Sequence, residues 1–187
     1  LVSDEVICGF GRLGSWFGYQ HYGVEPDLAP IAKGLSSGYL PIGGVLVSDR
    51  VADVMANDVG EFFHGYTYSG HPVAAAAALE NLRIIEDEGL VERIRDDIGP
   101  YFAKGWKSLE AHPVVGQADC VGLIGGLQLA ADKATRRRYA KPDDIGSLVR
   151  NHCLENGLIM RATADRMLAS PAFTITRGEV DEMVETL

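Results

Sequence analysis

The chain has 187 residues, 47% hydrophobic and 23% charged, and a formal net charge of -9. That length and apolar content suffice to bury the core of one large domain or of one and a half smaller ones. The acidic balance excludes the basic footprint that nucleic-acid phosphates require, and the longest apolar run, Val73 to Leu79, is too short and too Ala-rich to cross a bilayer.

In chain order, Leu1-Val2-Ser3 reads as the end of a buried strand, which puts Asp4 just past its carboxyl end, where ligands of open α/β sheets gather. Leu28 to Ala32 reads as a second strand in spite of Pro30, and Gly43 to Val47 as a third, with Gly38 and Pro41 marking the turn between them. Val73 to about Glu88 has helical spacing and strong helix formers, stopped by Gly89. A second amphipathic helix follows, with Leu90, Ile94, Ile98 and Phe102 on one face; apolar spacing resumes at Trp106, so Gly99-Pro100 predicts a bend. Val121 to Leu129 reads as one strand with Gly bulges. A helix over Asp143 to Asn156 ends at Gly157, a strand covers Leu158 to Arg161, and a last helix opens at Thr176. The whole predicts an α/β domain portion over residues 1–88, then a connector helix and a small α+β domain over 89–187.

Cys8, Cys120 and Cys153 are widely spaced and form no CxxC pair, so neither disulfides nor zinc are signalled and a reducing cytoplasm is expected. The chain opens without Met, basic n-region or apolar h-region and closes inside a helical pattern, which reads as a fragment with no signal peptide. His21, His64 and His71 lack metal-ligand spacing and read as loop or hydrogen-bonding residues, so no metal is expected. Arg136-Arg137-Arg138, between Lys133 and Lys141, reads as a solvated face.

Three segments carry chemistry: Asp4-Glu5-Val6 at a strand end, Lys33-Gly34 after the next strand, and the run from Gly65 to Pro72 before the Ala-rich helix. Taken singly, an Asp after a strand is a turn or capping residue and a Lys before Gly a surface residue. Together they match what pyridoxal phosphate (PLP) needs. A buried carboxylate, Asp4, keeps its pyridine nitrogen protonated so that the ring draws in electrons. A lysine, Lys33, holds its aldehyde as a Schiff base and then moves a proton as general base and acid. Lys33 is the sole lysine before Lys104 and lies in the apolar, Gly-rich setting Pro30 to Leu35, where desolvation favours the neutral amine. Gly34 lets the backbone pass close to the cofactor. Val6, two residues after Asp4 on an extended segment, packs on one ring face. Thr67 and Ser69 offer hydroxyls and N–H groups near a helix N-terminus for phosphate. Arg161 suits a substrate carboxylate, its planar fork gripping both oxygens, though a surface ion pair accounts for it as well. Trp16 lines a substrate pocket or packs in the core beside Phe17.

Asp4-Glu5-Val6-Ile7-Cys8-Gly9-Phe10-Gly11-Arg12, Gly23-Val24-Glu25-Pro26-Asp27 and Ala32-Lys33-Gly34-Leu35 through Gly43 resemble the class III aminotransferase signature. His64 to Pro72 and Leu158 to Ala162 are similar to the ω-transaminases that use pyruvate. The resemblance runs the whole length; Leu13 replaces the usual Thr, and Ala172 a Pro that often follows Pro171. It implies the C-terminal portion of a fold-type I PLP enzyme, a homodimer or dimer of dimers with shared active sites, inactive without its N-terminal part. That part carries a Gly-Ser phosphate loop and the aromatic that stacks on the other ring face. The implied roles are Asp4 to the pyridine nitrogen, Val6 over the ring, Lys33 in the Schiff base and Thr67 to the phosphate of the neighbouring subunit. Arg161 is implied as the mobile arginine that pairs with a substrate carboxylate. The implied reaction moves an amino group from an amine or ω-amino acid to an α-keto acid such as pyruvate. An aminomutase or decarboxylating relative, or a truncated non-catalytic chain, shares the same residues.

Overall fold

In the computed structural model, which describes residues 1–57 and 60–187, the first strand runs differently from its expected buried form. Leu1 and Val2 are exposed. Pairing nevertheless continues in parallel with the next strand: Val2 bridges Leu28, Ser3 N–H donates to Leu28 C=O at 2.9 Å and Glu5 N–H to Pro30 C=O at 3.0 Å. Pro30 is tolerated because its carbonyl, not the N–H it lacks, serves this ladder. A short helix, α1 (Gly18–His21), precedes β1 (Leu28–Ile31), which pairs antiparallel with β2 (Gly44–Val47). The helices α2 (Asp49–Asn57) and α3 (Pro72–Asp87) follow. In α3, Pro72 is pre-set for the first turn and the His71 Nδ1 caps it by accepting from Ala74 N–H at 3.3 Å.

The chain divides into two compact units, Leu1–Glu92 and Arg93–Leu187. Helix α4 (Leu90–Arg93) leads into a π-helical segment, Ile94–Ile98, and then α5 (Gly99–Ser108). The predicted bend at Gly99-Pro100 is thus a π turn: Gly99 N–H reaches back five residues to Ile94 C=O, and a Cβ on Gly99 would land on that carbonyl. The wider turn absorbs the donor that Pro100 lacks, so helical backbone continues.

The predicted single strand over Val121 to Leu129 is a hairpin instead. Strand β3 (Val115–Val121) turns at Gly122, φ +54°, into β4 (Ile124–Leu129). The register shift lies between Val115 and Gln117; Gly125 is no bulge but makes room for the Trp106 indole, which would sit 2.8 Å from an added Cβ. Helix α6 (Pro142–Glu155) ends as expected, Gly157 taking a left-handed φ of +85°. The predicted strand over Leu158 to Arg161 begins only at Arg161: β5 (Arg161–Thr163) pairs with β6 (Arg166–Ala169), which sequence reading missed. The sheet order is β3-β4-β6-β5, all antiparallel. Thr176 caps α7 (Arg177–Thr186) in a capping box with Glu179. Ile98, Phe102, Trp106, Leu127, Met167 and Val180 lie at the core of this unit.

The basic run is not uniformly solvated. Arg138 grips the fully buried Asp165 with two hydrogen bonds of 2.6 and 2.7 Å, which ties the β5–β6 turn to the loop before α6. That pairing holds the Asp165 carboxyl down at about 2. No helix among the described residues is long and apolar enough to cross a membrane.

Candidate active site

The first unit brings Asp4 and Lys33 to one end of paired strands. Because Val2 to Glu5 runs parallel to β1, the two segments end at the same side: Lys33 follows the end of β1 by two residues, while Asp4, expected just past its strand, lies inside the paired stretch, since pairing continues to Glu5 N–H. Both side chains are exposed, which overturns the buried carboxylate and desolvated lysine expected from the sequence: the apolar neighbours of Lys33 in the chain do not cover its side chain, and among the described residues neither Asp4 nor Lys33 enters an ion pair. Lys33 opens a 3-10 turn, Lys33–Leu35, with a left-handed φ of +33°, a conformation that a non-glycine residue holds only where its surroundings impose it.

Two elements impose it. Gly34 packs against the Asp4 loop: an added Cβ would lie 3.1 Å from Gly9 O and 3.4 Å from Phe10 Cβ. The close approach that Gly34 permits is therefore to this loop. From α3, Asn81 Nδ2 donates to Gly34 C=O at 2.9 Å and Leu35 C=O at 3.1 Å, while its Oδ1 accepts from Ser37 Oγ at 2.6 Å. Sequence reading missed Asn81 because it looks like one polar residue on a solvated helix face.

The loop after Asp4 is built on local competition for hydrogen bonds. Asp4 Oδ1 accepts from Val6 N–H at 3.0 Å, so the extension ends at Glu5 and the half-buried Val6 opens a turn. The continuous extended segment expected through Val6 is thus interrupted. Glu5, also missed, is 1% exposed and holds Gly18 N–H and Tyr19 N–H. Trp16 is half-buried; its carbonyl accepts from Phe10 N–H, and the ring packing falls to Phe17, edge-on to Phe10 at 5.5 Å and stacked on Tyr19 at 5.3 Å. Burial pulls the Arg12 guanidinium down to about 10.

Thr67 and Ser69 lie in an exposed turn just before α3, with Ser69 Oγ accepting from Tyr66 N–H at 3.0 Å. In the second unit Arg161 is exposed at the start of β5, enters no ion pair among the described residues, and lines a cleft of about 630 Å³ with Met160, Ser170 and Glu182.

Comparison with known proteins identifies the family. The family model for class III aminotransferases matches residues 1–187. The chain is 52% identical over 184 residues to the putrescine–pyruvate aminotransferase of Pseudomonas aeruginosa, covering 98% of this chain and 40% of that one. To the diaminobutyrate–2-oxoglutarate transaminase of Halomonas elongata it is 46% identical, with the same coverages. The solved (S)-enantioselective ω-transaminase of Thermomicrobium roseum superimposes with a TM-score of 0.93 at 42% identity, over 100% of this chain and 41% of that one. The chain therefore spans about 40% of the length of the relatives it matches. From signature loop to final helix, it belongs to the class III aminotransferase family.

Proposed function

We propose that this chain supplies the lysine half of a PLP-dependent ω-transaminase site, passing an amino group from an amine or ω-amino acid to an α-keto acid such as pyruvate. The observation that carries the reading is the pairing of an exposed carboxylate, Asp4, with an exposed lysine on strained backbone, Lys33, at one end of parallel-paired strands. The donor set fits the cofactor: an anion for a pyridinium, a primary amine for an aldehyde, and hydroxyls ahead of a helix N-terminus for a phosphate. The relative named for putrescine and pyruvate, at 52% identity, supports a diamine donor and that acceptor.

When bound, PLP supplies an electron sink for charge developing on the substrate carbon beside the amine. Asp4 holds a proton on the pyridine nitrogen, and Val6 covers one ring face. Lys33 would hold the cofactor aldehyde through its Nζ, and its free amine would serve as the general base and acid that moves the proton at the substrate carbon beside the amine. Arg161 binds the carboxylate of the keto acid and turns aside for amines without one. Trp16 bounds the amine side. Thr67 donates to the cofactor phosphate held by a neighbouring subunit, in a homodimer or dimer of dimers. The exposed Phe62, Phe63, Tyr66 and Tyr68 beside it support a protein-covered surface there, as aromatics of that size are seldom left bare in a monomer. We assign residues 1–88 to the large PLP-binding domain and 89–187 to the small domain, and the cytoplasm as compartment.

The test is spectroscopic. Mixed with PLP, the full protein is expected to gain a visible absorbance band that an amine bleaches and pyruvate restores, and Lys33→Ala to lose both band and turnover, the latter by about a thousandfold. Normal turnover in Lys33→Ala refutes the reading.

A further inference from the structure

Among the described residues of the first unit, Glu5 and Ser36 are the buried polar side chains, and Glu5 carries the carboxylate. A carboxylate is retained in such a place only where hydrogen bonds replace its water. Glu5 Oε2 accepts from Gly18 N–H at 2.7 Å, and Oε1 from Tyr19 N–H at 2.9 Å and Ser3 Oγ at 2.8 Å. Gly18 leaves room for this carboxylate and for Cys8, and Gly9 for the Glu5 backbone. An added Cβ on Gly18 would lie 3.2 Å from Oε2 and 2.9 Å from Cys8 Cβ, and one on Gly9 would lie 2.7 Å from the Glu5 carbonyl. Exposure alternates along the segment, Asp4 outside, Glu5 inside, as successive side chains of extended backbone must. Anchoring Glu5 inward therefore commits Asp4 outward, and Asp4 is fixed further by Val6 N–H at 3.0 Å.

We propose that Glu5 is a positioning residue: its carboxylate, clamped by Ser3, Gly18 and Tyr19, sets the direction in which Asp4 meets the pyridine nitrogen. The step from loop geometry to cofactor rests on the PLP reading above. Glu5→Gln keeps the shape, but its amide nitrogen cannot accept, so at least one of the three donors loses its partner.

Two measurements decide. In the cofactor-free protein, amide hydrogen exchange at Gly18, Tyr19 and Val6 is expected to quicken about tenfold or more in Glu5→Gln, while Ala78 in α3 keeps its rate. Gly18→Ala, which crowds the same carboxylate, is the second variant and is expected to give the same Val6 response. In PLP titrations, Glu5→Gln is expected to weaken binding about tenfold, and the Asp4→Asn/Glu5→Gln double variant to bind no more weakly than Asp4→Asn alone, since Glu5 acts through Asp4. Unchanged exchange at Val6, or additive losses in the double variant, overturns the proposal. Failure of the unaltered protein to take up PLP on Lys33 instead refutes the functional reading, and the Val6 exchange then decides by itself whether Glu5 orients Asp4.

Discussion

Lys33 holds a backbone conformation that costs a non-glycine residue on the order of 1–3 kcal/mol. The cost is met by contacts from outside its own turn, the Gly9-Phe10 loop and Asn81, so the amine is placed by packing and not by its own propensity. Asp165 is the counterpart in the second unit, buried and paired with Arg138. Its folded pKa, about 2, lies below the ordinary carboxyl value of about 3.9. The pair therefore contributes fully above about pH 4 and is lost as pH falls toward 2. Asp165→Ala is expected to lower stability at pH 7 by about 2–3 kcal/mol, and the gap to the unaltered protein to narrow in denaturant unfolding below pH 4; a gap independent of pH contradicts the assignment. Asp4 and Lys33 could be singled out in the sequence only together, since each alone reads as an ordinary turn or surface residue and it is their combination near successive strand ends that matches the proposed cofactor. Glu5 was not, since Asp4-Glu5 reads as two acidic residues, and only the fold shows that one faces inward.

At the scale of elements, the helices from α3 onward were legible because a 3.6-residue apolar period and end signals are local: His71-Pro72, Gly157 and Thr176 each act within a few residues; α1 and α2, of four and nine residues, were missed. The sheet was less so. Gly122, read as a bulge, is the turn of a hairpin, and the difference lies in a left-handed φ that sequence does not display. Strand β6 escaped because Arg166 to Ala169 is too short to establish a period, and it is held by pairing with both β4 and β5. Asn81 bonds a carbonyl 47 residues away, a distance that no local pattern reaches. It links α3 to the lysine turn, so Asn81→Ala leaves two carbonyls short of a donor. The expected loss is about 1–2 kcal/mol in denaturant unfolding. A change within experimental error would mean that water replaces the amide without cost.

At the scale of the whole molecule, the first unit leaves much apolar surface bare: β2 is exposed along its length, as are Phe63, Tyr68 and Leu79. Exposed apolar surface of this extent marks places where other protein binds, and the chain spans about 40% of the length of its relatives. If Thr67 serves the site of a neighbouring subunit, Lys33→Ala and Thr67→Ala damage different subunits' contributions to one site. Mixed after dissociation, the two variants are expected to recover roughly a quarter of full activity, since half of the dimers then carry one intact site. Activity no higher than that of Thr67→Ala diluted alone contradicts a shared site. The most direct measurement concerns Lys33 itself: borohydride reduction of the PLP-loaded protein, followed by peptide mapping. The account predicts the phosphopyridoxyl group on the peptide containing Lys33; its presence on another lysine, or its absence, would contradict it.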